Sequence, residues 1–139
     1  MRLTSWTALW ILVGCVGAVA DEQAVMTPAG ELEWKREGGP PFAQAWIEED
    51  GSHGRFVRFP PGFSSPVHIH TYDYHGIVVQ GVMDNPMGDA VDAIDLPSGS
   101  AYFVPAKSVH RTRCISDTPC LFYVHQDAPF DLIVVVDPR

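Results

Sequence analysis

The sequence predicts an all-β fold, one closed barrel or sandwich of short strands, and three observations carry that prediction. Glycine and proline, 12 of each in 139 residues, break the chain at intervals of roughly eight to twelve residues beyond position 20, the rhythm of strands joined by turns. The runs between them are short, and are alternating or rich in β-branched and aromatic residues. No window sustains the apolar period of about 3.6 residues that an amphipathic helix requires. No repeat, low-complexity tract or inter-domain linker divides the chain.

Residues 1–20 stand apart from this pattern. They read as one arginine, an apolar run, then small residues ending Ala18-Val19-Ala20 ahead of Asp21 and Glu22. That is the layout of a secretory signal peptide cleaved after Ala20. Leu12-Val13-Gly14-Cys15 supports a second reading, a lipoprotein signal in which Cys15 is lipidated and becomes the first mature residue. The apolar segment Val16–Ala20 argues against it, since such proteins usually turn polar there. An uncleaved anchor is the third reading, and the run is short for a bilayer, which takes about 20 apolar residues. Both leading readings export the protein, periplasmic or secreted, with no membrane span after processing.

The remaining domain, 21–139, is long enough for one core. Loss of Arg2 with the leader takes the formal net charge from −8 to −9. The acidic residues are scattered and no basic stripe accompanies them, which argues against nucleic acid and anionic lipid as partners.

In chain order, the first strands are Leu32–Lys35 and Ala43–Ile47, then Arg55–Phe59 beyond an Asp50-Gly51-Ser52-His53-Gly54 turn. His53 belongs to that turn and is expected to be solvated. The stretch Pro61–Gly81 holds His68-Ile69-His70 and closes with the apolar run Ile77–Val79. Asp84–Asp89, containing Asn85, Pro86 and Gly88, reads as a hairpin loop. Ala101–Val104, Cys120–Val124 and Leu132–Val136 complete the set, with His125 at an edge or surface position. Trp34, Trp46, Phe56, Phe59 and Phe122 are expected in the core or at the barrel mouth. One of Tyr102 and Phe103 lines its pocket, and alternation does not say which.

The chemistry concentrates in two segments. On a strand, His68 and His70 point to the same face, with Cα atoms roughly 6.5 Å apart. Two imidazoles so placed can converge on one metal ion, at about 2.0–2.1 Å for zinc. His110 lies forty positions beyond His70, just after the strand Ala101–Val104 and a break at Pro105. Asp73 is either a ligand, a partner that fixes an imidazole tautomer, or a turn aspartate bonded to its own backbone. Lys107 and Arg111 flank His110, where they could bind a carboxylate substrate, although solvated loop positions are the expectation for both.

These two segments resemble the two motifs of the cupin superfamily, G-x5-H-x-H-x3,4-E-x6-G and G-x5-P-x-G-x2-H-x3-N. The first is met at Gly62, His68, His70 and Gly81, the second at Gly99, Pro105 and His110. The resemblance implies a cupin jelly roll, a β-barrel or double-stranded β-helix, with a divalent metal held by His68, His70 and His110. It is similar in particular to a group of small bacterial cupins of unknown function. The departures are specific. The family's glutamate falls on Tyr74, or on His75 if the loop is one residue longer, and the two point to opposite faces of a strand. Either His75 or Tyr74 is the fourth ligand or a proton donor. The family's second-motif glycine is Lys107 here, and its final asparagine is Cys114.

Cys114 and Cys120 bracket a hairpin-length connection and are the cysteines left after leader removal. In an oxidising compartment they are expected to form a disulfide. The rival reading makes Cys114 a metal ligand or reactive thiol.

Two function classes follow. In the first, a site of three neutral imidazoles on iron, zinc, manganese or nickel acts on a small organic substrate, with dioxygenase-like or isomerase-like chemistry. In the second, the metal is structural or recruits a ligand, and the barrel is a non-catalytic binding or sensor module. By resemblance, a homodimer through sheet edges is expected.

Overall fold

Alternation in the sequence becomes alternation of burial in the computed structural model, which describes residues 23–88, 90 and 93–136. The leader assigned to residues 1–20 and its lipidation alternative at Cys15 lie outside the described residues. After a single 3-10 turn, Ala29–Glu31, the ordered elements are strands. They are β1 (Trp34–Lys35), β2 (Phe42–Ile47), β3 (His53–Phe59), β4 (His68–Ile69), β5 (Tyr74–Gln80), β6 (Val82–Asp84), β7 (Leu96–Pro97), β8 (Ala101–Val104), β9 (Arg113–Cys114), β10 (Cys120–Gln126) and β11 (Ile133–Val134).

One layer is a six-stranded sheet in the order β1-β2-β3-β10-β5-β8, with antiparallel pairing throughout. The facing layer is built from two pieces, β11-β4 and β7-β6-β9. Isolated antiparallel pairings of Ser64 with Arg113, and of His110 with both His68 and Met87, join them. Non-sequential neighbours in two facing antiparallel sheets make this a jelly roll.

The core lies between the layers. Along β10, Cys120, Phe122, Val124 and Gln126 are buried while Leu121, Tyr123 and His125 are half-exposed, the period-2 pattern of a sheet with one covered face. Phe59, Phe63 and Phe122 meet edge to face, with centroids 4.5 and 5.0 Å from Phe59. Met83 and Val78 fill the space beside them. Burial of each such side chain contributes about 1.5–3 kcal/mol. Trp34, Trp46 and Phe56 sit half-buried on the sheet's flank instead, Trp34 beneath the Arg58 guanidinium at 4.1 Å.

The Cys114–Cys120 disulfide is formed, with Cα atoms 5.7 Å apart. It ties β9 of one layer to β10 of the other, and both cysteines are fully buried. A bridged Cys114 supplies no thiolate, so the reading of Cys114 as a ligand is set aside.

One local expectation is corrected, at His53. The turn before β3 is satisfied by Asp50, whose Oδ1 accepts from the Ser52 amide at 2.9 Å and hydroxyl at 2.7 Å. The strand therefore begins at His53, which is 2% exposed rather than solvated. Its Nδ1 proton is shared between the carbonyls of Gly51 and Ala128 at 3.1 and 3.0 Å. His125 holds the expected surface position rather than an edge one, its side chain 40% exposed on β10 inside the six-stranded sheet. The stretch from Asp84 to Gly88 opens the connection of a hairpin, as expected, since Val82 and Met83 pair antiparallel with Pro97 and Leu96. Asp84 ends β6 in an ion pair with Arg113, and Pro86 and Gly88 run beside Val109–Arg111, with the Arg111 amide on Pro86 O and the Gly88 amide on Val109 O. Among the described residues no helix is long and apolar enough to cross a membrane.

Candidate metal centre

β4 begins at His68, so His68 and His70, two positions apart, project toward the same side. A reverse turn delivers His110. The Ser108 amide reaches Pro105 O at 3.2 Å, and the Lys107 amide reaches His70 O at 2.8 Å. Lys107 takes φ +61°, the third-position geometry of a turn that favours glycine. It stands where the cupin motif has that glycine.

The three rings are 3%, 7% and 1% exposed for His68, His70 and His110. Their ligand atoms all lie within 4.8 Å of one another. Each ring is oriented through its far nitrogen. Nδ1 of His68 donates to Pro66 O at 2.8 Å, Nδ1 of His110 to Ser108 O at 2.9 Å, and Nδ1 of His70 to Asp131 O. A carbonyl only accepts, so each Nδ1 carries the proton and each Nε2 the lone pair.

This tautomer assignment leaves an electrostatic problem at the centre. The Nε2 atoms of His68 and His70 are 3.2 Å apart, two acceptors with no proton between them. Burial holds all three imidazoles below the ordinary histidine range, and His70 is lowered to about 4. A proton is thus a poor counter-charge at neutral pH. A divalent cation answers the arrangement, since two nitrogens bound at about 2.0–2.1 Å and near-tetrahedral or right angles lie roughly 3 Å apart. The donor set fits a borderline metal such as iron, zinc, manganese or nickel, for which imidazole is a suitable ligand.

Tyr74 joins this cluster and His75 does not. Along β5, Tyr74, Gly76 and Val78 are buried while His75, Ile77 and Val79 are exposed. The register against β10 is continuous from His75 to Val78, so no bulge turns His75 inward. Its ring lies against Phe103 on the outer face, centroids 4.8 Å apart. His75 as fourth ligand is therefore corrected by simple strand alternation. The Tyr74 hydroxyl donates to His110 Nε2 at 3.1 Å, and burial pushes the phenol above its ordinary range, so it stays neutral.

The remaining candidates disperse. Asp73, Lys107 and Arg111 are exposed, and His125 bonds the exposed Asp127 at 2.9 Å. Tyr102 turns inward and Phe103 outward. Both border a cavity of about 320 Å³ with Asn85, Met87 and Leu96, and none of the three histidines lines it.

Four contributors were not foreseen. Asp131 orients His70 through its carbonyl and fixes Thr71 through its carboxylate, which accepts from the Thr71 amide at 2.9 Å and from its hydroxyl. Phe130 packs on His70 at 5.4 Å between centroids, and Arg55 lies under Phe130. The sequence around 127–132 shows only turn chemistry, and nothing in it signals contact with a residue 61 positions earlier.

A model of the DUF4437 family, described as a domain of unknown function, matches residues 28–134. The Arabidopsis thaliana DNA damage-repair/toleration protein DRT102 is 31% identical over 81 residues, covering 58% of this chain and 26% of that protein. The chain thus spans about a quarter of the length of that relative. The polyketide cyclase RemF from Streptomyces resistomycificus superposes with a TM-score of 0.69 at 16% identity, over 84% of this chain and 89% of that one. KdgF from Halomonas sp. gives 0.62 at 19% identity, over 75% and 94%. These neighbours are cupins, so the jelly roll expected from the two motifs is the fold found.

Proposed function

The chain belongs to the DUF4437 family, a cupin-like family of unknown function, and from that footing we propose that it is an exported metal-binding protein acting on a small organic molecule. The observation that carries the reading is the trio of buried imidazoles with every Nδ1 committed to a carbonyl and every Nε2 turned inward. His68, His70 and His110 would hold a divalent ion. When bound, such an ion supplies Lewis-acid polarisation, or dioxygen chemistry if it is iron.

The chain's own residues do the rest. Asp131 and the carbonyls of Pro66 and Ser108 fix ring orientation, as the outer partners of metal ligands do. Phe130 and the surrounding sheet keep water from the rings. The Tyr74 phenol, neutral and hydrogen-bonded at His110, would serve as a hydrogen-bond or proton donor to a substrate oxygen, a role its position beside the rings supports. Export is part of the proposal and is supported by the buried disulfide, a bond that persists in oxidising compartments. So is a homodimer, supported by Phe103 and Ile77, each 49% exposed beside the β8 edge; light scattering of the purified protein tests it.

A second reading is a non-catalytic metal or small-ligand module. It is favoured by the near-complete burial of the three rings and by a cavity lined by other residues. One experiment separates the two. Iron-loaded and zinc-loaded protein are screened against small acids, sugars and phenols for substrate-dependent oxygen uptake and product formation. Turnover that disappears in His110→Ala supports the enzyme. Stoichiometric metal without turnover on any class of substrate favours the module.

A further inference from the structure

The barrel interior holds a cation that the metal reading leaves unused. Arg55 lies on β3 and is 9% exposed, paired through the backbone with Val124 of the central strand β10. Burying an uncompensated charge is expensive, and buried arginines are normally matched by a carboxylate. Arg55 is not. Among the described residues none forms an ion pair with it, and its Nε is buried with no hydrogen-bond partner. Its contacts are ring faces, Phe130 at 3.3 Å and Phe42 at 5.5 Å from the guanidinium carbon. Glu37 acts on it only through the field. Burial lowers its pKa to about 10, which still leaves it charged at neutral pH.

The position of Arg55 is as informative as its lack of a partner. The Phe130 ring that covers the guanidinium also packs on His70. A stacked ring occupies the face of a guanidinium, whereas its hydrogen bonds leave along the edge in a fork that matches a carboxylate. One guanidinium neutralises one charge, which suits a monoanion better than a phosphate dianion.

We propose that Arg55 anchors the ligand of this barrel, a small carboxylic acid whose carboxylate pairs with the guanidinium while a second oxygen faces the three histidines. The inference deepens the metal reading and rests on it for that second contact only. The carboxylate contact itself stands with or without an ion.

The test is calorimetric titration of the purified protein, metal-loaded and chelator-treated, with acetate, lactate and benzoate, each against its neutral amide. The expected result is binding of at least one acid, at least tenfold tighter than its amide in both metal states. In Arg55→Met, which keeps the apolar stem, that acid weakens at least tenfold while metal content is unchanged; Arg55→Lys falls between. The proposal is overturned if no acid binds, if acid and amide bind alike, or if Arg55→Met binds as wild type. It is also overturned if only inorganic phosphate binds. Should Arg55→Met fail to fold, the acid–amide comparison in the wild type decides. Absence of metal with acid binding still dependent on Arg55 sinks the metal reading and supports this one.

Discussion

His68 and His110 form a hydrogen-bonded antiparallel pair: the amide of each donates to the carbonyl of the other, at 2.9 and 3.0 Å. The two motifs of the chain therefore meet at their histidines, through the backbone as well as the side chains. The pairing brings the ring centroids to 4.3 Å and joins the two pieces of the second layer. Ligands set on a ladder are held in place before any ion arrives, which is the condition for a precise site.

Acid should destabilise the metal-free protein in a defined window. His68, His70 and His110, together with buried His53, have folded pKa values below the ordinary 6.5, His70 at about 4. Between the two values the unfolded chain binds more protons, so stability rises with pH. The histidine contribution is whole above about pH 6.5 and is lost as pH falls toward 4. Urea unfolding in chelator across pH 4–7.5 checks this, and a flat profile below 6.5 contradicts it. Metal affinity of the folded protein should hold further into acid and fall only as pH drops through the lowered folded values, because the ligand form is the neutral ring.

Tyr74→Phe isolates the phenol. Its hydrogen bond to His110 Nε2 competes with metal for the same lone pair, and such a bond is worth about 1 kcal/mol. The variant is expected to keep its metal and bind it up to about fivefold tighter, while losing turnover that needs the proton. Competition with a chelator of known affinity reads this. Loss of metal by more than about tenfold would instead make the phenol a ligand.

Removing the bridge between layers tests its structural role. Cys114→Ala with Cys120→Ala should lower stability by about 2–3 kcal/mol, with metal stoichiometry unchanged because neither sulfur belongs to the histidine cluster. Metal loss in the folded double variant would show that Cys114 had been misread.

Lys107→Gly should stabilise the protein by roughly 1 kcal/mol, the left-handed penalty relieved less the added chain entropy. The φ of +61° at Lys107 is the one positive value at a non-glycine position among the described residues. A shift of the urea midpoint upward is expected, and a fall would mean that the lysine side chain contributes more than its backbone strain.

The fold was legible because its signals are local. Alternation marked the long strands, and the motif glycines Gly62, Gly81 and Gly99 all take positive φ, at 70°, 83° and 89°, where a side chain is strained. At Gly81 an added Cβ would also sit 3.0 Å from the Cys120 Cα. The short strands β6, β7 and β9 escaped because two or three residues show no period. In the site, i and i+2 spacing identified His68 and His70. The choice between Tyr74 and His75 depended on register, and one residue of slip exchanges every side chain between faces. Arg55 and Arg58, three apart on one strand, face opposite sides, and only the paired strands show that Arg58 is exposed while Arg55 is enclosed. Asp131 and Phe130 reach His70 across the barrel, a relation that no local pattern encodes.

The central claim is that one divalent ion sits on three imidazoles. Anomalous diffraction from a crystal of the purified protein, collected on both sides of the absorption edges of iron, zinc, manganese and nickel, tests it directly. One peak bonded to Nε2 of His68, His70 and His110, at about 2.0–2.3 Å, is the predicted result. No peak among these rings in metal-supplemented protein, or an ion bound at His75 or His125 instead, would contradict it.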